Sequence, residues 1–70
     1  MVTIFINPER LIIGTEDISA KTLHFITQLI EDNELAYLIN SDNQLFVEGK
    51  KSKLYNVLYA ISKFYDINLV

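Results

Sequence analysis

The chain has no cysteine, no tryptophan, one proline, two glycines and a single histidine in its 70 residues. Each shortage removes a class of protein. Without cysteine there is neither a disulfide framework nor a thiolate zinc site, and one histidine cannot anchor a multi-histidine metal centre. A chain with so little glycine carries no Gly-rich phosphate loop, and it offers too few convergent groups for most enzyme chemistry, so neither a cofactor nor catalysis is expected. No apolar run approaches the ~20 residues that span a bilayer. The opening "MVTIFINPER" lacks the basic start, long apolar stretch and small-residue cleavage site of a signal peptide. The expectation is a cytoplasmic chain without membrane contact.

Charge is the next scarcity. The formal net charge is −3, and it is unevenly spread. Residues 9 to 48 hold eight acids against Arg10 and Lys21, whereas residues 50 to 70 hold four lysines against Asp66. An acidic chain with one small lysine cluster is a poor match for a phosphate backbone, because such binding grows with the number of charges neutralised. Nucleic acid is not an expected partner.

What the chain does have is apolar patterning. Half of its residues are hydrophobic, which places it among folded globular proteins. Seventy residues make one domain, spanning 1–70, and a domain of this size buries only about 60% of its unfolded surface, so its stability is expected to be marginal or supported by a partner. "VTIFI" (residues 2 to 6) is β-branched and aromatic and predicts a strand. A turn at Asn7 and Pro8 then leads to a short second strand or extended segment in "LIIG". From Gly14 the period changes. Leu23, Ile26, Leu29 and Ile30 share one arc of a helical wheel, with Ile18 and Phe25 at its edge, while Lys21, His24, Gln28, Glu31 and Asp32 lie opposite. Thr15, Asp17 and Ser19 are candidate caps for this helix, and Asn33 is its stop.

"ELAYLIN" and "QLFVEG", separated by "SDN", have the form of a β-hairpin. From Ser52 the chain reads as helical again, with Leu54, Val57, Leu58, Ile61, Phe64 and Tyr65 on one arc, and "INLV" reads as a last short strand. The predicted fold is α+β, an antiparallel sheet with two helices packed on one face, in the order β-(β)-α-β-β-α-β. "VTIFI" and "LAYLI" put large apolar residues on both sides of the sheet, with no third helix to cover the second side. A homodimer or another protein partner at a sheet face or edge is the expected remedy.

Three sets of residues stand out as candidate sites. Lys50, Lys51 and Lys53 surround Ser52 at a predicted helix start. Either Ser52 caps the helix with the lysines in water, or helix N–H groups and ammonium groups together favour a phosphate on Ser52 or on a ligand. Tyr55 and Tyr59, four residues apart, fall outside the apolar arc. They either form an interaction surface or lean over the core edge. His24, where any phosphohistidine or general-base role would have to fall, sits mid-helix on the polar face, away from helix-terminal N–H groups. The cluster Glu31, Asp32 and Glu34 reads as a solvated helix end.

The stretch from Ile18 to Val70 resembles the histidine-containing phosphocarrier family of the bacterial sugar phosphotransferase system, HPr, whose core runs helix, hairpin, helix, strand. "ISAKTLHFITQLI" is similar to the family's active-centre turn and the helix it opens. Ile18, Ala20 and Lys21 match in kind, Ser19 stands at the position of the phosphorylated histidine, and Thr22 stands at that of the proline. "KKSKLYNVLYAI" is similar to the family's regulatory serine and short helix, with Ser52 at the serine that a kinase modifies. The resemblance implies a four-stranded antiparallel open-faced sandwich that stops before the family's final helix. It also implies a regulatory protein-interaction domain that lacks the phosphocarrier histidine. The alternative is a small α+β structural or assembly module that dimerises through its sheet and has no phosphate role.

Overall fold

The computed structural model of the chain describes residues 1–7 and 9–70. The elements are β1 (Val2–Asn7), β2 (Arg10–Gly14), α1 (Ala20–Asp32), β3 (Ala36–Ile39), β4 (Gln44–Glu48), α2 (Lys51–Phe64) and β5 (Ile67–Leu69). The predicted α+β order is the observed one. The strands form one sheet in the order β3-β4-β2-β1-β5. Neighbours are antiparallel except β1 and β5, which run parallel with Val2 opposite Ile67 and Ile4 opposite Leu69. The sheet therefore has five strands where the phosphocarrier resemblance implies four, and one of its pairs is parallel. The part of the β1–β2 turn expected at Pro8 lies outside the described residues; Asn7 is the last residue of β1, paired with Arg10.

Alternation along the strands decides which side chains meet the helices. Val2 and Ile4, Leu11 and Ile13, and Leu45 and Val47 all point to one face, where they pack with Ile26 and Ile30 of α1 and Leu54, Val57 and Ile61 of α2. Leu35 completes the buried core, which among the described residues is wholly aliphatic, with no buried polar side chain. None of the eight aromatic residues belongs to this buried set. Phenylalanine is ordinarily among the most buried residue types, so this chain holds its aromatics back from its own core.

The ends of α1 follow from local chemistry. Ser19 is its N-cap, accepting from the Thr22 amide at 3.1 Å. At the other end Asn33 is the C-cap and Glu34 takes a left-handed conformation (φ 58°). The Glu34 amide donates to the Glu31 carbonyl and the Leu35 amide to the Ile30 carbonyl. This is a Schellman closure, sealed by the apolar pair Ile30 and Leu35. Thr15, another candidate cap, is engaged elsewhere. Its hydroxyl donates to the Asn43 carbonyl at 2.7 Å and ties the end of β2 to the β3–β4 turn. In that turn the Asn40 side chain accepts from the Asp42 and Gln44 amides, and Asn43 supplies the left-handed residue (φ 59°).

Helix α2 departs from expectation at both ends. It begins at Lys51 with Lys50 as the N-cap residue, and no side chain caps it. Ser52 therefore lies inside the first turn and is not the cap. Phe64, expected on the apolar arc, is the last helical residue and is 68% exposed. Its ring still meets the edge of Phe25, with centroids 5.4 Å apart. Among the described residues, no helix is long and apolar enough to cross a membrane.

Candidate interaction surfaces

The two serines singled out in the sequence sit at opposite ends of the sheet. Gly14 of β2 pairs with Gln44 at one end and Arg10 pairs with Glu48 at the other. Helix α1 starts from the Gly14 end and α2 from the Glu48 end, so Ser19 and Ser52 do not share a site. The Ser19 oxygen is occupied by capping and by a 3.0 Å hydrogen bond with the Thr22 hydroxyl. Lys21 is exposed beside it. His24 is exposed in mid-helix, with its carbonyl accepting from the Thr27 hydroxyl. This places His24 on the polar face, as the helical wheel requires.

The Ser52 corner is exposed and electrostatically unfavourable. Ser52, Lys50 and Lys51 are exposed and Lys53 is half-buried. The first turn of α2 contains no acidic residue, so lysines crowd the positive end of the helix dipole, where anions are preferred. The lysines do not all turn to Ser52: the Lys51 ammonium lies over the Tyr55 ring, 5.9 Å from its centroid.

Tyr55 and Tyr59 are both exposed and form one wall of a groove of about 470 Å³ between α2 and β5. Leu58 and Ser62 continue that wall, and Ile67 and Leu69 form the other. The Lys63 ammonium lies 4.9 Å from the Tyr59 ring centroid. Lys51, Tyr55, Tyr59 and Lys63 thus recur every fourth residue in an inclined row that winds about 120° around the helix, two groove-lining rings each with a cation beside it. Tyr55, Tyr59 and Lys51 stand out in the sequence, whereas Lys63 and the strand residues opposite do not. The four-residue spacing is a signal that could have found Lys63. Nothing local marks Ile67 and Leu69 as its counterpart.

The second surface is the sheet face that no helix covers. Leu38 pairs with Phe46, Phe46 with Ile12, and Ile12 with Phe5. These four residues form one unbroken cross-strand row on the outer face. Leu38 is 66% exposed and Phe5 41%; Ile12 and Phe46 are half-buried by their neighbours. Beside the row Arg10 and Glu48 pair across the strands at 3.5 Å, and the Arg10 guanidinium lies 5.9 Å from the Phe46 centroid. A shallow hollow of about 230 Å³ between Leu38, Phe46 and this ion pair makes the face uneven.

Among the described residues no group of three or more histidine, cysteine, aspartate or glutamate side chains is placed to hold a metal ion. Compared with known proteins, the chain matches no family model, no curated protein and no solved structure. The phosphocarrier resemblance therefore stands on its quoted residues alone.

Proposed function

We propose that this chain is a non-enzymatic assembly module that pairs with a second copy through its open sheet face. The observation that carries this reading is the row Leu38, Phe46, Ile12 and Phe5, an apolar band running across four adjacent strands. Aromatic side chains kept out of the core but set in a contiguous band suit an interface, where they bury much area at small entropic cost. A second copy is the fitting occupant because the charges beside the band, Arg10 and Glu48, already neutralise each other, so two such faces meet without net repulsion. Five strands about 4.8 Å apart and about 17 Å long cover on the order of 400 Å² in projection. That is below the ~800 Å² per partner of a standard stable interface, so the pairing belongs with the weak, non-obligate class. Sedimentation tests it. The native chain is expected to dimerise at micromolar concentration, and Leu38→Glu with Phe46→Glu is expected to be monomeric with an unchanged circular dichroism spectrum. A clean native monomer at high concentration would exclude the reading.

The regulatory reading that the phosphocarrier resemblance suggests is supported by one observation, the exposed Ser52 in an uncapped, lysine-rich first turn. On that reading a phosphate on Ser52 meets both the helix N–H groups and the ammonium groups. It predicts that Ser52→Asp changes the affinity for a protein partner while the dimer constant stays the same.

A further inference from the structure

Strand β5 is an edge strand with an open hydrogen-bonding side. In its parallel pair with β1, the Val2 amide donates to the Asp66 carbonyl at 2.8 Å and the Val70 amide to the Ile4 carbonyl at 3.0 Å. Backbone groups alternate sides along a strand, so Asp66, Asn68 and Val70 face β1, and the N–H and C=O groups of Ile67 and Leu69 point outward. Among the described residues no strand of the sheet lies beyond them. The side chains of Ile67 and Leu69 stand opposite Val2 and Ile4, which places them on the helix side, in the groove with Tyr55 and Tyr59. The free backbone edge and the tyrosine-lined groove are therefore one continuous surface.

We propose that this surface binds an extended acidic segment of a partner protein, which adds to β5 as a further strand and lays alternate side chains against Tyr55 and Tyr59. Charge selects this occupant over a second copy. Helix α2 carries Lys51, Lys53 and Lys63 and no acid, so pairing two β5 edges would bring two cationic helices together. An acidic segment meets complementary charge instead. The spacing also fixes a pattern. Lys51 and Lys63 are about 18 Å apart along the helix at ~1.5 Å per residue, a distance that six extended residues cover at ~3.3 Å each. An even spacing keeps both acids on the groove side of the added strand, so the pattern is acid, any, apolar, any, apolar, any, acid. Backbone bonds supply affinity and the groove reads the alternate side chains. This site does not depend on the open-face dimer, since it uses the β5 edge and the helix side of the sheet.

The test uses a blocked, fluorescein-labelled heptapeptide with aspartate at both ends, valine at the third and fifth positions and threonine between. It is compared with a version that has lysine at both ends and a version with proline at the fourth and fifth positions, which removes an inward-facing amide whichever way the added strand runs. The native chain is expected to bind the first peptide saturably and each control at least about tenfold more weakly. Amide exchange at Ile67 and Leu69 should slow on binding. Exchanging Lys51 and Lys63 together for glutamate should reverse the preference towards the lysine-ended peptide. Equal binding of the acidic and lysine-ended peptides, undiminished binding of the proline version, or no binding at millimolar peptide would overturn the proposal. Protection of the Ile67 and Leu69 amides that rises with protein concentration alone would assign the edge to a second copy and overturn it too. The Leu38→Glu, Phe46→Glu protein must bind the acidic peptide as the native chain does, which separates this site from the dimer face.

Discussion

The two helices rest on the same sheet and contribute similar aliphatic stripes to the same core, yet their ends are built by opposite means. Helix α1 is finished by its own sequence, with a serine cap at one end and a Schellman closure at the other. Helix α2 has an extended lysine at its cap position, no side-chain cap and no acid in its first turn. Gly49, the residue between β4 and the cap, has φ +153°, and a Cβ there would collide with the side chain of Leu35, which is itself in the core. The chain thus enters α2 through a glycine that leaves no room for a side chain beside Leu35, and the helix begins without a local cap. The lesson is that a helix whose core face is secure can leave its first turn electrostatically unfavourable, and that such a turn is open to an external anion.

The largest expected effect breaks this contrast at Gly49. Gly49→Ala combines backbone strain with a clash on Leu35 and should cost about 2 kcal/mol, read by urea denaturation. A loss no greater than that of an exposed surface substitution would show that neither the backbone at Gly49 nor Leu35 constrains the entry to α2. Next comes the pair of serines. Ser19→Ala should cost about 1 kcal/mol through the lost cap, while Ser52→Ala, inside a first turn that it does not cap, should change stability by less than about 0.5 kcal/mol. Equal losses at the two positions would remove the distinction between the helices. A substitution expected to stabilise sharpens it. Lys50→Asp places a capping carboxylate at the exposed start of α2 and should stabilise by about 0.5 to 1 kcal/mol, visible as a raised urea midpoint with an unchanged slope.

The same contrast explains how far the sequence could be read. The apolar periods of Ile26 and Ile30 and of Leu54, Val57 and Ile61 were plain, because a helix stripe is a local pattern. So was the hairpin around Ser41, Asp42 and Asn43, whose turn chemistry is written in a few successive residues. Cap preference makes Ser52 a candidate cap because it is the serine nearest an apolar run, whereas the helix begins at Lys51 with Lys50 in the cap position, a boundary that no local signal marks. The surplus of apolar residues on the sheet was legible in "VTIFI" and "LAYLI". The row itself was not, because aligning Phe5, Ile12, Phe46 and Leu38 requires the pairing of β2 with β4, for which no short-range signal exists. The groove was hidden for the same reason: Tyr55 and Tyr59 announced themselves, but their facing wall belongs to a strand placed only by its pairing with β1.

That pairing of β1 with β5 has a kinetic consequence. Val2 meets Ile67 across almost the whole length of the chain, whereas the hairpins β1–β2 and β3–β4 close over short loops. Closing a long loop carries a larger entropic cost than closing a short one, and contacts of high sequence separation slow the folding step that needs them. Strand β5 should therefore dock after the hairpins and helices have assembled, and it should be the first strand to detach when the native chain opens locally. Because β5 forms one wall of the groove, the peptide site comes into being only with that final docking. An occupant that adds to its edge would in turn slow the detachment, so binding and completion of the sheet are a single coupled event.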